Sequence, residues 1–66
     1  MTFNFTIEHA EATFKEYRIT NNGNYVGYVF YFINSGNVQY MHAETDTEIT
    51  TEIEKQFENF LNGNNG

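Results

Sequence analysis

The sequence predicts an α+β fold: a four-stranded antiparallel sheet with one C-terminal amphipathic helix packed on one face, in the order ββββα. Three observations carry this expectation. The first residues alternate with a period of two. Two Gly-containing turn motifs bracket a strongly apolar stretch. After Asp46 the apolar period switches to four. In 66 residues these elements make one domain, expected over 1–62, with 63–66 as a flexible tail.

Phe3, Phe5 and Ile7 fall on one side of the first segment, and Thr2, Asn4, Thr6 and Glu8 on the other. That is a half-buried strand. "HAEA" (9–12) is a connection. "TFKEYRIT" (13–20) reads as a second strand, against a competing short helix from Glu8 to Arg18 favoured by Ala, Glu and Lys. The strand is preferred because a hairpin signal follows. In "NNGN" (21–24), Asn22-Gly23 suits the two positive-φ positions of a type I′ turn. This loop pairs Ile19 with Val26, Tyr17 with Tyr28 and Glu16 with Val29. "NSGN" (34–37) repeats the device at Ser35-Gly36, pairing Ile33 with Val38, Tyr31 with Tyr40 and Phe30 with Met41. "NYVGYVFYF" (24–32) becomes a central strand. From about Asp46 to Leu61, Ile49, Ile53, Phe57 and Leu61 recur every four residues beside Phe60, which is one helical stripe. Asp46 or Thr47 is a natural N-cap, and Gly63 stops the helix.

That register sorts the sheet into two faces. Tyr17, Ile19, Val26, Tyr28, Phe30, Phe32, Met41 and Ala43 form an almost wholly apolar face, assigned to the helix. The other face collects Phe14, Glu16, Arg18, Tyr25, Val29, Tyr31, Ile33, Val38, Tyr40, His42 and Glu44. One helix covers one face, and a sizeable uncovered apolar patch usually marks a binding site. The expected interface on this sheet face is Phe14, Arg18, Tyr31, Ile33, Val38, Tyr40 and His42, filled by a second copy or another protein. The competing reading is that Tyr, a good strand former, simply decorates an open sheet.

The chain is small, so its single core supplies little net stability. It has no Cys, which removes disulfides and thiolate metal sites. Oligomerisation is the remaining staple, and a homodimer is expected. Nine acids against three bases give a net charge of −6. This disfavours a phosphate-binding surface and direct nucleic-acid binding, and favours partners with a basic surface. Glu44, Asp46, Glu48, Glu52, Glu54 and Glu58 crowd into fifteen residues beside Lys55. Glu48, Glu52, Glu54 and Glu58 form a second candidate interface, an acidic helix face able to imitate nucleic-acid phosphates; an ordinary solvated helix looks the same. No secretory signal or membrane-length apolar run appears, so a cytoplasmic location is expected.

Catalytic chemistry finds no foothold. His42-Ala43-Glu44 has the His-x-Glu spacing of zinc deaminases, but those require a Cys pair. Neither His9 nor His42 has metal-ligand spacing to the acids, and no Gly-rich phosphate loop is present. No catalytic residue, cofactor or metal is expected.

"GNYVGYVFYFINSGNVQYMHAET" resembles the central hairpin of small GNAT-type acetyltransferases, in which a G-x-x-x-Y strand is followed by a strand ending in H-T-x-V. Gly27, Tyr31, His42 and Thr45 sit roughly where that pattern would place them, over about a third of the chain. The resemblance implies a related sheet. The family's acyl-CoA phosphate loop is replaced here by the acidic "TDTEITTEIEKQ", so no catalytic residue is carried over. The leading expectation is a small acidic binding protein, not an enzyme, of the kind phages and mobile elements use as anti-defence inhibitors of host proteins. The alternatives are a reduced acyltransferase-like domain that binds a small molecule, and a purely structural homodimer.

Overall fold

A computed structural model describes residues 1–63; the expected C-terminal tail lies outside the described residues from position 64 onward. The elements run β1 (Asn4–Ala10), β2 (Phe14–Asn21), β3 (Asn24–Phe32), β4 (Val38–His42) and α1 (Thr47–Leu61). The four strands form one antiparallel sheet in the order β1-β2-β3-β4, as the alternation and turn chemistry predict.

The first turn is the expected one. Asn22 and Gly23 have φ of 53° and 83°, and Asn21 pairs with Asn24. Two pairs later the register departs from a plain hairpin. Thr20 pairs with Tyr25, but Ile19 pairs with Gly27. Val26 is the extra residue of a β-bulge, and every later residue of β3 shifts by one against β2. Tyr17 therefore meets Val29, Arg18 meets Tyr28, Glu16 meets Phe30 and Phe14 meets Phe32. Because side chains alternate, the shift turns the rest of β3 over.

The second hairpin also differs. Its connection takes in Ile33–Gly36, closed where the Phe32 N–H donates to the Asn37 carbonyl. The Ser35 hydroxyl accepts from the Asn37 N–H at 3.2 Å, and Gly36 has φ 77°. Tyr31 now pairs with Val38 and Val29 with Tyr40. This is a slip of two from the expected register, so the faces of β4 relative to β3 are kept. Gly27 lies opposite His42 at a close approach. A Cβ on Gly27 would overlap the Met41 carbonyl oxygen and lie 2.7 Å from His42 Cβ.

The helix forms where the period-four stripe predicts. The Asp46 carboxylate caps it, accepting from the Glu48 N–H at 2.9 Å and the Ile49 N–H at 3.4 Å. Gly63, with φ 83°, ends it, its N–H donating to the Phe60 carbonyl. Ile53 and Phe57 are fully buried and meet Phe3, Tyr17, Ile19 and Val29 in the core. Phe57 contacts the rings of Phe5, Tyr17 and Tyr40, with centroids 5.1, 5.5 and 6.0 Å away. Gln56 ties the helix to the start of β1. Its Oε1 accepts from the Phe3 N–H at 2.7 Å, and its Nε2 donates to the Met1 carbonyl at 2.7 Å. Ile7, expected inside with Phe3 and Phe5, is half exposed; it sits just before a second bulge between Ile7 and His9.

The bulge corrects the assignment of faces. The helix covers Tyr17, Ile19, Val26, Val29, Tyr31, Val38 and Tyr40. Tyr28, Phe30, Phe32 and Met41, expected beneath the helix, lie on the opposite face with Phe14, Glu16 and Arg18.

Candidate functional site

The face of the sheet away from the helix is an aromatic surface with one guanidinium. Phe14 stands at one end, its ring centroid 6.3 Å from Phe30 and 6.2 Å from Phe32. Tyr28 follows along β3 and packs edge-on against Tyr25 at 5.6 Å. Met41 is opposite Tyr28 on β4 and is half exposed. Arg18 lies across from Tyr28, its guanidinium carbon 6.0 Å from the ring centroid. The Arg18 Nε is shielded from solvent without a hydrogen bond and has the Glu8 carboxylate 3.4 Å away. His9 is 6.0 Å from the Phe14 ring and pairs with Glu11. Among the described residues, no element covers this surface.

Aromatic residues, Met and Arg are the types enriched in protein interfaces. Flanking apolar contacts partly shelter one another here, yet Tyr25 remains 61% and Met41 49% exposed. On this face the single Arg18 is set against two acids, Glu8 and Glu16. Three acids and two bases precede residue 44; six acids and one base lie from Glu44 onward, so −5 of the net −6 belongs to the helix and its lead-in. The aromatic face and the acidic helix are on opposite sides of the molecule.

Of the seven residues expected to form the sheet interface, Phe14 and Arg18 are on this open face. Tyr31, Val38 and Tyr40 are not; they pack against the helix core. His42 shares their side, partly buried over Gly27, with Nδ1 shielded and unpartnered. Ile33 is in the second turn, 38% exposed. Tyr25, Tyr28, Phe30, Phe32 and Met41 complete the surface in their place. Gly27 was the available signal, because a Gly inside a strand often marks a bulge or a close backbone approach.

The acidic helix residues do not form one row. At about 100° per residue, Glu54 and Glu58 fall on the flank above β4, while Glu48 and Glu52 fall on the flank toward β1. Glu52 accepts from Gln56 Nε2 at 3.0 Å. On the β4 flank, burial first and then Glu54 and Glu58 push the Tyr40 phenol up to about 12. Burial and the neighbouring Tyr31 raise the Tyr17 phenol as well.

Among the described residues no group of three or more His, Cys, Asp or Glu is placed to hold a metal ion, and no helix is long and apolar enough to cross a membrane. No protein-family model, curated protein or solved structure matches this chain.

Proposed function

We propose that this chain is a non-enzymatic protein-binding domain that docks through the open aromatic face of its sheet, and that in the isolated protein the occupant is a second copy. The observation that carries the reading is the uncovered set Phe14, Tyr28, Phe30, Phe32 and Met41 around Arg18. Two copies packed sheet on sheet would bury these side chains at the roughly 10 Å spacing of stacked sheets. Both acidic helices would then lie on the outside, where their charges repel least. Four strands about 4.8 Å apart cover roughly 400–500 Å² of plane. That is the small end of specific interfaces, so the expected dissociation constant is micromolar.

Such a dimer displays an acidic helix on each outer surface. This supports a role as an inhibitor or adaptor that meets a host protein with a basic surface, as nucleic-acid-handling proteins have. The reduced acyltransferase-like domain is the reading from another class; an acyl-CoA titration tests it directly.

Sedimentation equilibrium tests the proposal. The parent should be dimeric at micromolar concentration. Phe30→Glu should be monomeric with its helix retained, since the dimer would bury an unpaired charge. A parent that sediments as a monomer at every concentration overturns the second copy as occupant. So does a Phe30→Glu variant that dimerises like the parent.

A further inference from the structure

The two edges of the sheet are guarded differently. β1 carries a bulge between Ile7 and His9 and has Glu8 and His9 at the irregularity. Bulges and charges are the usual protections of an edge strand. β4, the other edge, is regular throughout its pairing with β3 and reads "VQYMH", with no Pro, Lys or acid. From the Phe32–Asn37 hydrogen bond, the alternation of an antiparallel ladder leaves the backbone groups of Val38, Tyr40 and His42 pointing away from β3. Among the described residues no further strand pairs with them.

Beside this edge runs a groove of about 640 Å³ between β4 and α1. Val38, Tyr40 and Leu61 give it apolar surface; Glu54 and Glu58 line it with Lys55 as the single base. The rise of the Tyr40 phenol places both carboxylates within its electrostatic reach.

We propose that the free edge of β4 accepts an extended, Lys- or Arg-bearing segment of a partner protein as a fifth antiparallel strand. Side chains on a strand added opposite Val38, Tyr40 and His42 would fall every second residue on the helix side. There a long aliphatic stem lies along Tyr40 and Val38 while its cation reaches Glu54 and Glu58. Main-chain bonds supply affinity and the alternate side chains supply selectivity, as in other strand-addition complexes. A second copy is the wrong occupant for this edge, because it would bring two sets of Glu54 and Glu58 together. The edge is free whether or not the open faces pair, so the inference does not depend on the dimer.

The test uses three synthetic ten-residue peptides: alternating Val and Lys, alternating Val and Glu, and the Val-Lys peptide N-methylated at alternate residues on the pairing edge. Binding is read by fluorescence anisotropy and by amide shifts of the labelled full chain. The Val-Lys peptide should bind at least about tenfold more tightly than the Val-Glu peptide and shift the amides of Val38, Tyr40 and His42. Glu54→Gln with Glu58→Gln should weaken it roughly fivefold, as two exposed ion pairs would. N-methylation, which keeps the charge and removes backbone donors, should abolish binding. Equal binding of the methylated peptide, or shifts confined to the helix, would reveal mere adsorption to an acidic surface and overturn the proposal. So would no binding of the Val-Lys peptide. Repeating the titration on Phe30→Glu separates this outcome from that of the open face: the edge should bind equally well in both backgrounds.

Discussion

Gly27→Ala is the sharpest probe of the strand register. The new methyl would overlap the Met41 carbonyl oxygen and sit 2.7 Å from His42 Cβ and 3.0 Å from His42 Cα. These are backbone atoms and the first carbon of a side chain, so no rotamer change clears them; β4 itself must move. Overpacking of this kind costs about 1–3 kcal/mol. Backbone resistance puts the expectation in the upper half, and the smaller unfolded-state entropy of Ala offsets at most about 1 kcal/mol. A net loss of about 2 kcal/mol is large for a domain of this size, whose whole stability is roughly 3–10 kcal/mol. It should lower Tm by roughly 8–16 °C. Urea and thermal unfolding, read by circular dichroism at matched protein concentration, give the value. Gly36→Asn is the control. That site needs a positive φ, which Asn tolerates, and nothing lies within 4 Å of its Cβ, so its cost should stay below about 0.5 kcal/mol. If Gly27→Ala were as mild, β4 would not pass over Gly27, and the Gly27–His42 pairing with its slip of two residues would be wrong.

Three further outcomes follow from the same contacts. Asp46→Ala should destabilise the fold by about 1 kcal/mol in urea titrations, through loss of the cap on the Glu48 and Ile49 N–H groups. Gln56→Ala should cost about 1–2 kcal/mol by leaving the Phe3 N–H without its acceptor. Hydrogen exchange at Phe3 should then speed up, whereas Gln56→Glu should keep that amide protected. The Tyr40 phenol, raised to about 12 in the folded chain from an ordinary 10.0, favours the folded state in its protonated form. Its contribution is complete below pH 10 and is lost as pH rises from 10 to 12. Stability should therefore fall across that window, and Tyr40→Phe should flatten the fall.

The strands and the helix were legible because their signals are local. Asn22-Gly23 specifies its own turn, and Ile49, Ile53 and Phe57 specify their own stripe. The faces of the sheet were not legible. In "NYVGYVFYF" both alternating sets are apolar, so amphipathicity does not fix which side is inside. Tyr28, Phe30 and Phe32 outweigh Val29 and Tyr31 in aromatic content and read as core. The bulge at Val26 between β2 and β3 reverses that assignment, and a plain reading of the Asn22-Gly23 hairpin does not include it. Of the residues expected on the uncovered face, Phe14 and Arg18 lie there, while the β3 and β4 members are exchanged for their neighbours. The acidic helix was legible in composition; its division into two flanks follows from which stripe the sheet buries.

Isotope-filtered nuclear Overhauser spectroscopy on an equimolar mixture of labelled and unlabelled chains shows which side chains meet between copies. Contacts between copies are expected from the rings of Phe14, Tyr28, Phe30 and Phe32 and the Met41 methyl, and none from Tyr31, Val38 or Tyr40, which pack against the helix core. Contacts between copies from the helix or the Tyr31–Tyr40 side, with the open face silent, would contradict docking through the open face.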